Sequence, residues 1–239
     1  MIETHQIIVL GTTKYSDDRI IVNALSRTAA RVTLIVRITN SKRAAVRHTL
    51  FQPMALLEVQ WEATPRATML RPKAARPLVP LLSLQTDPLK ASVAMFLAEF
   101  LTHATRSDFD GGIIYDYIAY AMEWLDAADH GFNNFHLVFL MRLMRFFGIE
   151  PNLDTPAYYF DLEAGTYSPV LPAHAYYIRG AEAEVLPTLL RLNFGTMHVM
   201  RLTGEQRSRI LQAIVTYYRL HLPGIPALKS LDVLRSVFS

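Results

Sequence analysis

The periodicity of apolar residues changes once along this chain of 239 residues, near residue 80, and that change constrains the fold most. Before it, short β-branched segments alternate apolar and polar residues, as half-buried strands do. After it, apolar residues recur at the three- and four-residue spacing of helices. The sequence therefore predicts an α+β protein with a strand-rich domain at residues 1–80 and a mainly helical domain at 81–239.

Five strand-like segments fill the first domain. In "RVTLIVRIT" (31–39), the even-numbered apolar residues share one face, and Arg31 and Arg37 project from the other. Five short strands in so few residues predict a small closed barrel, for which the OB-fold is the natural five-stranded candidate. The segments are 5–14, 18–26, 31–39, 51–63 and 66–76.

The second domain has helical periodicity with one interruption. The segment 134–148 is apolar almost all round, which predicts a buried central helix. Thr203 and Gln206 have the spacing of a capping box at the start of a later helix. Between these helices, an aromatic-rich insert at about 152–180 reads as a short hairpin around Gly165. The predicted helices are 87–105, 113–129, 134–148, 203–222 and 230–238.

Charge is distributed unevenly along the chain. Residues 19–57 contain seven Lys or Arg and no Asp or Glu. Residues 1–82 hold 12 basic and 5 acidic residues, whereas residues 83–239 hold 12 and 16. A basic N-terminal domain favours a polyanionic partner, because an acid-free surface lets a phosphate backbone approach without local repulsion.

The basic domain is well supplied with phosphate contacts and poorly supplied with aromatic rings. Its aromatic residues are Tyr15, Phe51 and Trp61, and the last two lie in apolar strand contexts typical of a core. We therefore expect DNA binding with weak sequence preference, strong salt dependence and tolerance of single and double strands. Two alternatives stay open: an RNA-binding OB-fold protein of RNA metabolism, and a solvated basic surface without a partner.

Signals for catalysis, metal or membrane are scarce. The sequence has no phosphate-loop, dinucleotide, zinc-protease or serine-hydrolase motif. It has no cysteine, and its eight histidines lack ligand spacing. "DFDGG" (108–112) begins like a calcium loop but lacks the later acids, so a helix-connecting loop is favoured. No long apolar span or secretory signal is visible. We expect a soluble, cytoplasmic protein. The missing motifs do not by themselves exclude an activity, because catalytic sites also assemble from residues distant in sequence.

Several segments in order resemble the RecO family of bacterial DNA-repair proteins. They cover nearly the whole chain, and their order and spacing carry the resemblance more than any single motif. The segments are "KYSDDRIIVNALS", "ARVTLIVRITNSKR", "LFQPMALLEV", "DPLKASVAMFLAEFL", "RLMRFFGIEPNL" and "YYRLHLPGIPALKSLDVLRSVF".

The resemblance implies an N-terminal OB-fold and a helical C-terminal domain. It also implies a nucleoid-associated recombination mediator that is not an enzyme and needs no cofactor. Such a protein binds DNA, anneals complementary strands, engages the acidic tail of the single-strand-binding protein and, with RecR, helps to load RecA. The residues matching the family's DNA-contacting region are Arg31, Arg37, Lys42 and Arg43, with Arg19 and Arg47 as further candidates. An acidic tail ending in an aromatic residue needs cations beside an apolar groove. Candidates are Arg142, Arg145, Met141 and Phe146, although such arginines also snorkel from core helices to water.

The chain departs from the family pattern at three places. Many members place four cysteines in the stretch matching the insert, and this chain has none, so hairpin pairing and aromatic packing are expected to hold the insert without zinc. The family often has Gly at the positions matching Ala30 and Ile38. The backbone before Lys42 is therefore expected to depend on how these two residues are accommodated.

Overall fold

Five antiparallel strands form the N-terminal sheet in the order β3-β2-β1-β4-β5. The computed structural model describes residues 1–39, 41, 43–62, 67–105 and 111–238. These residues fall into two compact units, Met1–Ala127 and Ala128–Ser239. The strands of the first unit are β1 Ile2–Ser16, β2 Arg19–Ser26, β3 Ala30–Arg37, β4 Leu56–Glu62 and β5 Pro72–Pro77.

The two faces of β3 differ as its alternation predicts. Val32, Leu34 and Val36 are buried, whereas Arg31 is half-buried and Arg37 is exposed. The buried residues join a core that includes Phe51 and Trp61, which confirms the core assignment of these two rings. Two of the three aromatic residues of this domain are therefore buried in its core and are not available to stack on a base.

The sheet is not closed into a barrel. Leu70, just before β5, forms a single parallel bridge with Leu34 of β3. Ile35 N donates to Leu70 O at 2.9 Å, and Leu70 N donates to Thr33 O at 2.8 Å. The five-stranded OB-like architecture is confirmed, and the expectation of full closure is corrected. The bridge to β3 is made by Leu70, which precedes β5, and the six residues of β5 pair with β4, so the described residues form no continuous ladder along the β3 edge.

Three helices follow the sheet within the first unit: α1 Ser83–Thr86, α2 Pro88–Ala104 and α3 Gly111–Ala127. α2 packs against β1, and α3 packs against β2 and β3. Asp87 caps α2 by accepting from Leu89 N at 2.8 Å, as expected for a helix with proline in its first turn. The predicted domain boundary at residue 80 stays a prediction. The three helices follow residue 80 in the chain, and α2 and α3 pack on the sheet that precedes it.

Ala30 begins β3 with a left-handed backbone, at φ 51°. An L-residue other than glycine seldom adopts this conformation, because its Cβ crowds the following carbonyl oxygen. The frequent glycine at the matching family position therefore has a physical reason. Ile38, by contrast, does not have a positive φ, so the backbone after β3 has ordinary geometry at this residue. Its N–H donates to Asp18 O at 2.7 Å.

The second unit is built around α4. Each residue of α4 except Arg142 is buried, which confirms the predicted central helix. Gly148, at φ 66°, ends the 3-10 turn that continues α4. The capping box of α7 is also confirmed, since Thr203 N donates to Gln206 Oε1 and Gln206 N donates to Thr203 Oγ1. The helices are α4 Phe135–Leu143, α5 Ala181–Glu184, α6 Leu186–Arg191, α7 Gly204–His221 and α8 Ser230–Phe238.

The insert forms a second, three-stranded sheet in the order β7-β6-β8. Its strands are β6 Tyr159–Asp161, β7 Thr166–Ser168 and β8 Tyr177–Arg179, and Gly165 turns the β6–β7 hairpin at φ 68°. Phe160 stacks edge-on against Tyr167 with ring centroids 5.1 Å apart. His174 Nε2 lies 3.2 Å from Asp161 Oδ2. Strand pairing and aromatic packing thus hold the insert, as the absence of cysteine predicts.

Candidate nucleic-acid interface

Two arginines face each other at one end of the N-terminal sheet. Arg19 opens β2 and Arg37 ends β3, and the antiparallel register makes them direct partners. The side chain of Arg37 is 81% exposed and that of Arg19 is 47% exposed. Like charges at such positions repel, so this pair needs a counter-ion.

Asp18 supplies that counter-ion from the β1–β2 turn. Its Oδ2 lies 3.7 Å from Arg19 Nε and 3.8 Å from Arg37 Nε. Ser16 Oγ donates to the other carboxylate oxygen at 2.8 Å. This hydrogen bond and the charges of the two arginines lower the pKa of Asp18 below its ordinary value, so the carboxylate stays ionised at neutral pH.

Arg71 completes a basic groove beside this pair. The Leu34–Leu70 bridge brings Leu70 against β3, and the exposed Arg71 is the next residue along the chain. The groove has a volume of about 410 Å³ and is bordered by Arg19, Arg37 and Arg71. Its other described lining residues are uncharged, and aliphatic carbon from Ile35, Val46 and Pro72 forms part of its surface. We call this site the arginine groove.

Three guanidinium groups around one groove form a site for an anion with several charged oxygens. Guanidinium groups donate several hydrogen bonds to phosphate oxygens in a planar fork, and they stay charged at any physiological pH. The aliphatic side chains between them offer a surface for the carbon atoms of a ligand and add no charge. A phosphodiester chain has both features, because phosphates alternate with sugars along it.

The other predicted DNA-contacting residues fall in different places. Arg31 lies at the opposite end of β3 from Arg37, about 20 Å away at the usual rise per residue. Its Nη1 donates to the carbonyl of Thr102 in the last turn of α2, where a cation is favoured by the helix dipole. Lys42 lies outside the described residues. The structure thus separates Arg31 from the arginine groove.

Arg43 and Arg47 are exposed on the segment that follows β3. Two residues of this segment, Ala44 and Val46, line the groove. Ala75 N donates to Ala45 O at 3.0 Å, which fastens the segment to β5. Arg43 and Arg47 therefore flank a wall of the groove, although neither lines it.

Arg71 is the groove residue that sequence reasoning missed. It lies outside the acid-free stretch that drew attention to residues 19–57, and strand alternation gives it no special place. A signal was available in the OB-fold expectation itself, since closure brings the fifth strand to the third. Basic residues at the start of the last strand belong with those of β3 in such a fold.

The four candidates for partner binding are spread between surface and core of the second unit. Arg142 Nη1 donates to Leu192 O at 2.9 Å, so its guanidinium supports the chain after α6. Met141 is buried. Arg145 is exposed, and its guanidinium carbon lies 6.0 Å from the centroid of the half-buried Phe146 ring. Arg145 is thus the exposed member of the four, Phe146 and Arg142 are half-buried, and the guanidinium of Arg142 is engaged within the unit.

Other chemistry is sparse in the part of the chain that the structure describes. Among these residues, no group of three or more His, Cys, Asp or Glu side chains is arranged to hold a metal ion. No described helix combines the length and apolarity needed to span a bilayer. The core of the "DFDGG" segment, residues 108–110, lies outside the described residues. The arginine groove is therefore the strongest candidate site.

Known proteins match both parts of the chain in sequence. Residues 1–78 match the family model described as Recombination protein O N terminal, and residues 85–232 match Recombination protein O C terminal. A protein of Bacteroides fragilis named DNA repair protein RecO is 42% identical over 234 residues, covering 97% of each chain. Proteins of the same name from Phocaeicola vulgatus and Porphyromonas gingivalis are 40% and 32% identical, covering 97% and 100% of each chain. Both the sheet-forming part and the mainly helical part are thus matched, and the chain belongs to the Recombination protein O (RecO) family.

Proposed function

We propose that this protein is a recombination mediator in DNA repair and that it binds single- and double-stranded DNA through the arginine groove. Membership of the RecO family supports the role in DNA repair and recombination. The observation that supports the groove as the DNA-binding site is the convergence of Arg19, Arg37 and Arg71 on it from three separate parts of the chain. Surface charge placed for solubility alone is normally interspersed with the opposite sign, whereas residues 19–57 hold seven basic residues and no acidic one.

The mediator role also includes strand annealing and protein partners. We propose that the bound DNA anneals with a complementary strand, that the protein engages the acidic tail of single-strand-binding protein, and that it acts with RecR to promote RecA loading. Arg145 beside Phe146 supports tail binding, because it pairs an exposed cation with an aromatic surface. None of these steps requires bond cleavage by this chain, and we propose that it is not an enzyme.

The test is fluorescence anisotropy of a labelled single-stranded oligonucleotide across a salt series. In the variant Arg19→Gln/Arg37→Gln/Arg71→Gln, the slope of log affinity against log salt should fall by about 2, since each lost phosphate contact removes about 0.7. The same variant should anneal complementary oligonucleotides more slowly than the wild type.

The matched control is Lys14→Gln/Arg27→Gln/Arg76→Gln, which removes the same charge from the same unit. None of these side chains lines the groove, and each has an acidic partner, as Arg19 and Arg37 have in Asp18. The partners are Asp17, Asp116 and Glu58. We expect the control to keep most of the wild-type slope. Equal losses in both variants would show that net charge, and not the groove, drives binding. Tighter binding of RNA than of DNA in direct competition would favour the alternative role in RNA metabolism.

Tail binding needs its own measurement on the second unit. Isothermal titration with an acidic peptide that ends in phenylalanine should give weaker binding to Arg145→Ala than to the wild type. Arg191→Ala removes another exposed arginine of the same unit and should leave the affinity unchanged. If both substitutions have the same effect, Arg145 has no specific part in peptide binding.

A further inference from the structure

The arginine groove offers charge and aliphatic carbon to its ligand. Among its described lining residues there is no aromatic ring. Proteins that hold single strands by their bases do so mainly by stacking each base on an aromatic ring, which strengthens binding by about fivefold or more per base. The groove has guanidinium groups for phosphates and the side chains of Ile35, Val46 and Pro72 for sugar carbon.

The nearest candidate for stacking lies outside the groove. Tyr15 occupies the irregularity between Lys14 and Ser16, where β1 leaves its regular register with β2. It is 54% exposed and sits at the same end of the sheet as Arg19. It does not line the groove. Tyr15 therefore provides a sharp way to separate binding through bases from binding through the backbone.

We infer that the arginine groove binds the sugar–phosphate backbone of a nucleic-acid strand and leaves the bases facing outward, available for pairing. This inference rests on the proposed function and adds which part of the nucleic acid is the ligand. Phosphates lie against Arg19, Arg37 and Arg71, and sugars lie against the aliphatic wall. A strand held in this way keeps its Watson–Crick edges free, so a complementary strand pairs with it without first displacing the protein.

The decisive experiment compares three labelled oligonucleotides of equal length. The first is ordinary DNA, the second carries a central tract of tetrahydrofuran abasic residues, and the third carries neutral methylphosphonate linkages in the same tract. The abasic strand should bind the wild-type protein within about twofold of ordinary DNA, since no stacking is lost. The methylphosphonate strand should bind at least about tenfold more weakly, since its tract has no charged phosphate oxygens.

A loss of about tenfold or more on the abasic strand would overturn the inference, because that is the scale of one lost stacking contact. If Tyr15→Leu then weakened binding of ordinary DNA to the same extent, the base contact would be assigned to that ring. The triple arginine variant separates this outcome from failure of the proposed function. Wild-type affinity in that variant would remove the groove as the DNA site, and the inference with it. Weak binding by that variant, together with weak binding of the abasic strand by wild type, overturns the inference alone.

A second readout reports directly on the bases. Permanganate oxidises thymines whose faces are open to solvent and spares those stacked against a ring. In a bound oligothymidine, the oxidation rate should stay within about twofold of the free strand if the backbone alone is held. Strong protection of one or more thymines in the wild-type complex would overturn the inference.

Discussion

Arg37 lies directly opposite Arg19 in the β2–β3 ladder, and the two guanidinium groups share the carboxylate of Asp18. In the free protein, this carboxylate partly neutralises the positive charge that a DNA phosphate would otherwise contact. The arginine groove thus carries a weak internal competitor, attached to the same turn that precedes Arg19.

Replacing Asp18 should therefore tighten DNA binding. In Asp18→Asn, we expect affinity for a single-stranded oligonucleotide at low salt to rise about two- to fivefold, with a smaller gain at high salt because exposed charges are screened. The matched control is Asp17→Asn, which removes the neighbouring acid, whose partner is Lys14. Fluorescence anisotropy measures both. Weaker binding in Asp18→Asn would mean that the carboxylate chiefly positions the arginines.

Ala30→Gly should stabilise the first unit. Ala30 has φ 51°, where a Cβ is unfavourable by about 1–2 kcal/mol and glycine has no such strain. Glycine loses more chain entropy on folding, so the expected net gain is about 0.5–1 kcal/mol. Both tryptophans, Trp61 and Trp124, lie in this unit, so urea unfolding followed by tryptophan fluorescence reports on it. Ala29→Gly, at a residue without positive φ, should give no gain.

His136 should make the second unit acid-sensitive. Burial, with a smaller effect of the Arg207 charge, lowers the pKa of His136 to about 3. The unfolded chain binds a proton below its ordinary pKa of about 6.5 while the folded chain does not, so stability falls as the pH drops from 6.5 toward 3. Between pH 7 and 5, the wild type should lose about 2 kcal/mol more than His136→Gln.

Urea unfolding followed by far-ultraviolet circular dichroism measures this difference. Tryptophan fluorescence, which reports on the first unit, is recorded alongside so that the contribution of α2 and α3 is accounted for. His130→Gln, which changes an exposed histidine of the same unit, should keep the wild-type pH dependence. If the two glutamine variants behave alike, His136 does not resist protonation in the folded state.

Tyr218 should stabilise the contact between α7 and α4 through its hydroxyl group. Its OH donates to Leu140 O at 2.7 Å in the interior of the second unit. Tyr218→Phe keeps the ring and leaves that buried carbonyl without this donor, so we expect a loss of about 1 kcal/mol in unfolding free energy. Tyr176→Phe changes a largely exposed tyrosine of the insert and should change stability by less than about 0.5 kcal/mol.

The alternation of β3 was sufficient to predict which residues enter the core and that Arg31 and Arg37 share the opposite face. It was not sufficient to predict their roles, because Arg31 finds a helix carbonyl contributed by a segment far along the chain. Arg71 escaped prediction for the same reason, since its place depends on the pairing of Leu70 with Leu34. Periodicity reports on local structure, and these partners are set by tertiary contacts.

Helix α4 and the capping box of α7 were predictable because their signals are local in sequence. The closed barrel was wrong because closure depends on pairing between segments far apart in sequence, and β3 meets only Leu70, just before β5, in a single bridge. The insert lies between these cases. Its hairpin turn at Gly165 was visible in the sequence, whereas the third strand, β8, becomes evident only once the chain has folded back on β6.

The Leu34–Leu70 bridge gives the two sides of the arginine groove unequal stiffness. Arg19 and Arg37 belong to a ladder of eight paired positions. Across the β3 edge, by contrast, the described backbone just before Arg71 is held by the two hydrogen bonds of Leu70. One side of the groove is thus held by a continuous ladder and the other by one bridge at Leu70 and the pairing of Pro72 with Trp61. A change in the width of the groove therefore breaks fewer backbone hydrogen bonds on the Arg71 side than on the Arg37 side.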